Sequence, residues 1–199
     1  LFNKGNVFYS RRVGKTPSGY GSVADSLADQ EEIASNPQYA QLINATKISG
    51  KSRGKLAVGM FNGMTANTWA EVKDTLSGDQ RRVKTEQFTN YNMLVVDQAL
   101  KNNSYFSLYN TNVYQPDKSF AANVTGSELK LTTRSNAFAV WGQGIVSQKY
   151  LQGVSPEFGY LYSIVAGKIS GRFTFELSHD VIDDKYDPND MGYLRHNNV

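Results

Sequence analysis

The feature that most constrains this chain is a strict alternation of short turns with long connections. Lys51-Ser52-Arg53-Gly54 separates 42–50 from 55–64, and Lys101-Asn102-Asn103 separates 91–100 from 104–114. Arg134-Ser135-Asn136 separates 122–133 from 137–150, and Ser170-Gly171 separates 159–169 from 172–181. Each turn holds Gly, Asn or Ser, the residues that tolerate the backbone of a tight hairpin. Each also carries or abuts a Lys or Arg. The other connections, 15–39, 65–88, 115–120, 151–158 and 182–188, are longer and polar.

Between the turns the dominant period is two. Phe173, Phe175 and Leu177 alternate with Thr174, Glu176 and Ser178, and Leu129 and Leu131 alternate with Glu128, Lys130 and Thr132. Strands with one apolar and one polar face read this way. The segments 90–100 and 137–150 are apolar on parts of both faces. The helical period is nearly absent. The stretch 23–34 is at most a short loop helix, and 69–76 is a second, weaker helical candidate.

Strands of about 10–13 residues match the ~9–11 that a tilted strand needs to cross a bilayer and exceed the ~5–6 usual in globular sheets. The spacing therefore predicts an all-β fold: an antiparallel meander forming all or part of a transmembrane outer-membrane β-barrel. Short turns would face the periplasm and long loops the outside. Composition agrees with this. No run of 18 apolar residues exists, and mean hydropathy is -0.47, which excludes a spanning helix but not a barrel. Twelve Tyr and ten Phe suit a β-rich or interfacial protein. A net charge of +3 without a basic cluster gives no reason to expect nucleic acid. With no Cys and only two His, no disulfide, thiolate site or His-rich metal site is expected.

The apolar run 7–10 reads as a strand almost at the first residue, and Val199 is not the aromatic on which a last barrel strand usually ends. The expectation is a single barrel domain of which 1–199 is an internal segment continuing beyond both ends, with about ten strands in this piece.

Five strings then occur in order. They are Phe8-Tyr9-Ser10-Arg11-Arg12-Val13-Gly14; Asn44-Ala45-Thr46-Lys47-Ile48-Ser49-Gly50-Lys51; Val58-Gly59-Met60-Phe61-Asn62-Gly63-Met64-Thr65; Phe88-Thr89-Asn90-Tyr91-Asn92; and Tyr186-Asp187-Pro188-Asn189-Asp190-Met191-Gly192-Tyr193-Leu194. Together they resemble a family of Bacteroidota outer-membrane proteins in which a family-nine-like carbohydrate-binding domain precedes a long β-barrel domain of unknown function. The resemblance implies location in the outer membrane of a Gram-negative bacterium and a sugar-binding module upstream of Leu1. It supplies no reaction for this segment.

A search for chemistry gives few candidates. Glycoside hydrolysis needs two carboxylates; Glu128 and Glu176 stand on polar strand faces and read as hydrated lumen residues. Asp183, Asp184, Asp187 and Asp190 form an oxygen-rich loop whose spacing does not match an EF-hand, and Asp25, Asp29, Glu31 and Glu32 form a second acidic stretch; both read as solvated loops. No Gly-x-Ser-x-Gly elbow supports a serine nucleophile, and His179 is the only His within a strand. Gly142 and Gly144 beside Trp141 read as strand positions that allow bending or close packing. No catalytic residue, metal ligand or cofactor is therefore assigned.

The candidate ligand-binding residues are Arg11, Arg12, Tyr20 and Trp69. Adjacent on a strand, Arg11 and Arg12 would point to opposite faces, and the inward one could pair with a carboxylate or meet an anionic ligand. Tyr20, Tyr39 and Trp69 lie in long loops and could stack on sugar rings. Tyr109, Tyr114, Tyr150, Tyr160 and Tyr162 fall near strand ends, as an interfacial girdle would place them. The expected role is a non-enzymatic anchor, pore or binding scaffold. Its expected contacts are outer-membrane lipid, carbohydrate and other outer-membrane proteins. Two alternatives stand beside it: a soluble β-rich carbohydrate-binding or hydrolytic domain, and an accessory barrel subunit of a larger complex.

Overall fold

The computed structural model describes residues 1–192. Among them are eleven strands: β1 (Glu31–Ser35), β2 (Leu42–Lys51), β3 (Leu56–Thr65), β4 (Thr68–Asp74), β5 (Gln80–Glu86), β6 (Thr89–Ala99), β7 (Tyr105–Gln115), β8 (Phe120–Thr132), β9 (Phe138–Tyr150), β10 (Glu157–Lys168) and β11 (Phe175–Ile182). All pairings are antiparallel. Eight strands make one sheet in the order β11-β10-β9-β8-β7-β6-β3-β2, and β1-β4-β5 make a small second sheet.

Three of the four short turns form where the sequence places them; the fourth, around Ser170-Gly171, is a longer connection over 169–174, and its second strand starts at Phe175 and not at 172. Asn102, Asn103 and Asn136 have φ of 54–55°, and Gly171 has φ 103°. These left-handed conformations are the ones Asn and Gly adopt with least strain. The large sheet is thus the expected long-stranded meander. It is not a closed barrel among the described residues: β2 and β11 are its two edges, and they do not pair with each other.

Two local expectations are corrected, and a third is met only in part. The run 7–10 is not a strand. Gly5 and Asn6 both have φ 55°, so the chain coils into 3-10 turns at Lys4–Asn6 and Ser10–Arg12. Val7, between them, is wholly buried. The 69–76 helical candidate is strand β4, paired with β1 on one side and β5 on the other. Its buried Ala70 and Val72 alternate with Trp69 and Glu71, a period of two in a segment too short to stand out. In 23–34 a 3-10 turn, Gly21–Ser26, leads to β1. Tyr193 and Leu194 of the last string, and the polar end 195–199, lie outside the described residues.

The large sheet has two unlike faces. One is covered by residues 1–14 and 183–192. Phe61, Tyr91, Met93, Val95, Tyr109, Val113, Val124 and Ile145 point that way and pack with Phe2, Val7, Tyr186 and Met191 into the main core. Tyr109 is the largest fully buried side chain. It lies over Gly126, its direct cross-strand partner, and against Gly5, so any side chain at either glycine would meet the Tyr109 ring or hydroxyl. The opposite face is bare. Leu94, Leu108, Leu131, Val140 and Ile164 stand there 47–54% exposed. The small sheet has its own core of Val23, Ala70 and Val72, with Leu27 and Val83 packed against it.

Candidate functional site

The covered face is held by charge as well as by apolar contact. Lys4 Nζ reaches Glu128 Oε2 at 3.0 Å and Asp97 Oδ2 at 3.3 Å. Glu128 also accepts the Gly5 N–H at 3.1 Å, and the Ser107 hydroxyl donates to Asp97 at 2.6 Å. Burial works against the Lys4 charge, but its bonds to Glu128 and Asp97 outweigh this and raise its pKa. Glu128, considered above for hydrolysis, is thus committed to clamping the first residues onto the sheet.

The 183–192 loop is fastened in the same manner. Lys149 reaches Asp187 at 2.6 Å and Asp190 at 3.2 Å. Burial raises the Asp187 carboxyl; Lys149 and the Asn189 N–H together overcome that and leave it below its usual range. Two of the four aspartates in this loop are therefore occupied by one lysine. Among the described residues no group of three His, Asp or Glu side chains could hold a metal ion.

The four candidate ligand residues fall on two parts of the fold. Arg12 donates from Nε to the Gly192 carbonyl at 3.2 Å and from Nη2 to Asn189 Oδ1 at 3.4 Å, so it ties the amino-terminal segment to the 183–192 loop. Arg11 is exposed beside it. Because this segment is coiled, the two arginines do not point to opposite sides of a sheet. Trp69 stands on β4, 39% exposed, with Lys84 Nζ 4.9 Å above its ring. Tyr20 is half-buried just before the Gly21–Ser26 turn, and its carbonyl accepts from Asn36. Tyr39 is exposed at 70%.

A concavity that the sequence did not reveal lies at the long-loop end of the covered face. It has a volume of about 250 Å³ and is lined by Lys15, Ser18, Glu86, Tyr91, Gln115 and Lys118, among others. Its residues come from separate places in the chain, joined by the register of the sheet and by the loops around Lys15, Lys118, Leu151 and Asp190 that close over its end. Glu86 accepts the Ser18 N–H at 2.8 Å and the Gln87 N–H at 3.1 Å, so its carboxylate is already engaged. The cleft can hold a small polar molecule between a tyrosine and two lysines. His179, on the bare face, meets the Tyr162 hydroxyl at 3.2 Å.

The bare face is unusual in its charge. Residues paired directly across strands share a face, so the register assigns each side chain. Along the eight strands, its Asp, Glu, Lys, Arg and His side chains are only Lys168, at the end of β10, and His179. The covered face carries Lys47, Lys51, Asp97, Glu128, Lys130, Lys149, Glu157, Glu176 and Asp180. The bare face also has aromatics at both ends. Phe106, Phe138 and Phe175 stand near the short turns, and Tyr114, Tyr150 and Phe158 near the long connections. Tyr109, expected among the girdle tyrosines, is instead buried in the core.

A family model described as Domain of unknown function (DUF5916) matches residues 1–199. The chain belongs to the DUF5916 family. Searches of curated proteins and of solved structures give no match. The description of DUF5916 names no activity.

Proposed function

We propose that this DUF5916 segment is part of an outer-membrane β-barrel and serves as a non-enzymatic scaffold, its bare face toward lipid and its covered face toward a filled lumen. The distribution of charge carries this reading. A strand in a bilayer must turn apolar side chains outward and can keep ions only inside. Along the eight described strands the bare face has no carboxylate and no arginine, and the covered face holds clamped ion pairs.

The aromatic rows support it on scale. Phe106 and Tyr114 are eight residues apart on β7, about 27 Å along the strand at ~3.4 Å per residue. Phe138 and Tyr150 on β9 are twelve apart, about 41 Å. At a tilt of ~40° these become heights of about 20 and 30 Å, which bracket the ~25 Å apolar band of such barrels. A soluble sandwich would need a second sheet over the bare face, whose side chains are half exposed.

In lipid, the unpaired backbones of β2 and β11 must also find partners. The reading therefore requires further strands at both edges, from the rest of the protein or from an accessory partner. The carbohydrate link rests on the resemblance. With it, the cleft at Lys15, Tyr91 and Lys118 and the loop residues Tyr20 and Trp69 are the places to look for sugar binding.

The deciding experiment is membrane fractionation of the full-length protein, with heated and unheated samples compared on a detergent gel. Outer-membrane enrichment and a heat-shifted band are expected. A protein that stays in the soluble fraction with no shift would sink the proposal.

A further inference from the structure

The bare face is apolar toward the short turns, but a belt of amides crosses it. Asn62, Asn92, Asn112, Asn123 and Gln148 are consecutive cross-strand partners on β3, β6, β7, β8 and β9. Asn44, Asn90 and Asn110 flank this row on the same face. Hydrogen bonds join its members: Asn44 donates to Asn62 at 3.0 Å, and Asn62 donates to Asn90 and Asn92 at 2.8 Å. Asn110 donates to Asn123 at 2.8 Å, and Asn123 to Gln148 at 3.2 Å.

This belt does not suit lipid. On β3, β6 and β7 it begins about six residues from the turn end of the strand. That is about 20 Å along the strand and about 15 Å in height at a ~40° tilt, well inside an apolar band of ~25 Å. Polar side chains at that depth normally face protein.

We propose that the amide belt on β2, β3, β6, β7, β8 and β9 is the contact surface for a second copy of this chain in the membrane. The inference rests on the lipid-facing reading above. Two features favour a second copy over an unlike partner. Each amide is both donor and acceptor, and each carbonyl oxygen has two lone pairs, so the belt keeps bonding capacity of both kinds after its internal bonds are made. Such a surface is complementary to itself across a two-fold axis. The belt also carries no charged side chain, so two copies meet without repulsion and an oppositely charged partner finds nothing to pair with.

Residues 1–199 hold no cysteine, so with any cysteine elsewhere in the full-length protein replaced by serine the test is direct. Leu94, on the bare face between Asn92 and Val96, is 51% exposed; Ile164, on the same face of β10, is 54% exposed. Leu94→Cys and Ile164→Cys would be made in the full-length protein, in its own membranes, with two differently tagged copies co-expressed. A short bis-maleimide should link the two tagged forms of Leu94→Cys into a band at twice the chain mass, and Ile164→Cys should give none. Adding Asn62→Leu and Asn92→Leu to Leu94→Cys should abolish that band while the heat-shifted form persists.

A fluorophore on each cysteine and brominated lipid separate the failures. No dimer, with Leu94→Cys quenched as strongly as Ile164→Cys, overturns the second copy and leaves the lipid face standing. A cross-link to a different protein overturns it in favour of an unlike partner. Quenching at neither position removes the lipid-facing reading and the proposal with it.

Discussion

Gly126→Ala should destabilise this fold, although alanine is normally the better residue in a strand. Gly126 pairs directly with Tyr109, whose ring covers it. A Cβ there would stand about 2.6 Å from Tyr109 Cζ and 2.7 Å from its hydroxyl oxygen, far inside contact distance. The ring has little room to yield, because Gly5 and Ile145 crowd it from the far side and Tyr109 is 1% exposed. Overpacking a tight core costs about 1–3 kcal/mol, against about 0.4–1 kcal/mol gained by restricting the unfolded chain. The net expectation is a loss of about 1–2 kcal/mol. With a urea dependence of ~2–3 kcal/mol per molar, the unfolding midpoint should fall by about 0.5–1 M.

The same change in a Tyr109→Ala background should cost nothing, since the obstacle is gone. Tyr109→Ala alone should cost about 3–5 kcal/mol, as for other large buried aromatics. The assay is urea unfolding of the four proteins, followed by tyrosine and tryptophan fluorescence. Equal effects of Gly126→Ala in both backgrounds would refute the packing argument, as would a neutral effect in the wild type.

Removing the Lys4 charge with Lys4→Met leaves Asp97 and Glu128 without their shared cation; a loss of about 1–3 kcal/mol is expected, read as faster proteolysis near the amino terminus. Arg81 holds the Glu31 carboxyl down at about 2, so that pair contributes above the ordinary carboxylate pKa near 4.5 and is lost as pH falls from there toward 2; NMR titration of Glu31 should show this, and Arg81→Gln should return it toward the ordinary range. Asp187 is also held low, so docking of the 183–192 loop should weaken only as pH falls below the ordinary aspartate value of 3.8, measured as rising protease sensitivity of the loop in acid. Leu108→Arg, mid-strand on the bare face, should cost about 2–4 kcal/mol if that face meets lipid, and almost nothing if it meets water; folding yield into vesicles reads the difference.

The large sheet was legible in the sequence because its hairpins are local. Asn102-Asn103, Asn136 and Gly171 mark turns that only a few residue types form easily, and the strands between them alternate. What failed was short or non-local. Val7 and Phe8 look like the start of a strand, but the left-handed Gly5 and Asn6 break the extension, and the buried Val7 packs where only a folded sheet provides a surface. The alternation in β4 was present at Ala70 and Val72 but spans too few residues to outweigh a helical reading. Arg12 was legible as a candidate by type and not by role, because its partners Asn189 and Gly192 are far away in sequence. The amide belt and the cleft near Lys15 depend on register between strands, which no single segment encodes.

The excursion between β3 and β6 has a consequence for how the protein can vary. Thr65 and Thr89 are direct partners, so the chain leaves the large sheet and returns to it at adjacent points. The segment 66–88 leaves and returns there, and it is held a second time by β1, which pairs with β4, and by Val23 and Leu27; only its tip between β4 and β5, residues 75–79, is free to change length without touching the ten cross-strand pairs of β3 with β6. Closing a loop of this size costs entropy that grows only with the logarithm of its length. That tip is therefore a natural port: a place where a tag or an epitope could be grafted while the strand order of both sheets stays the same.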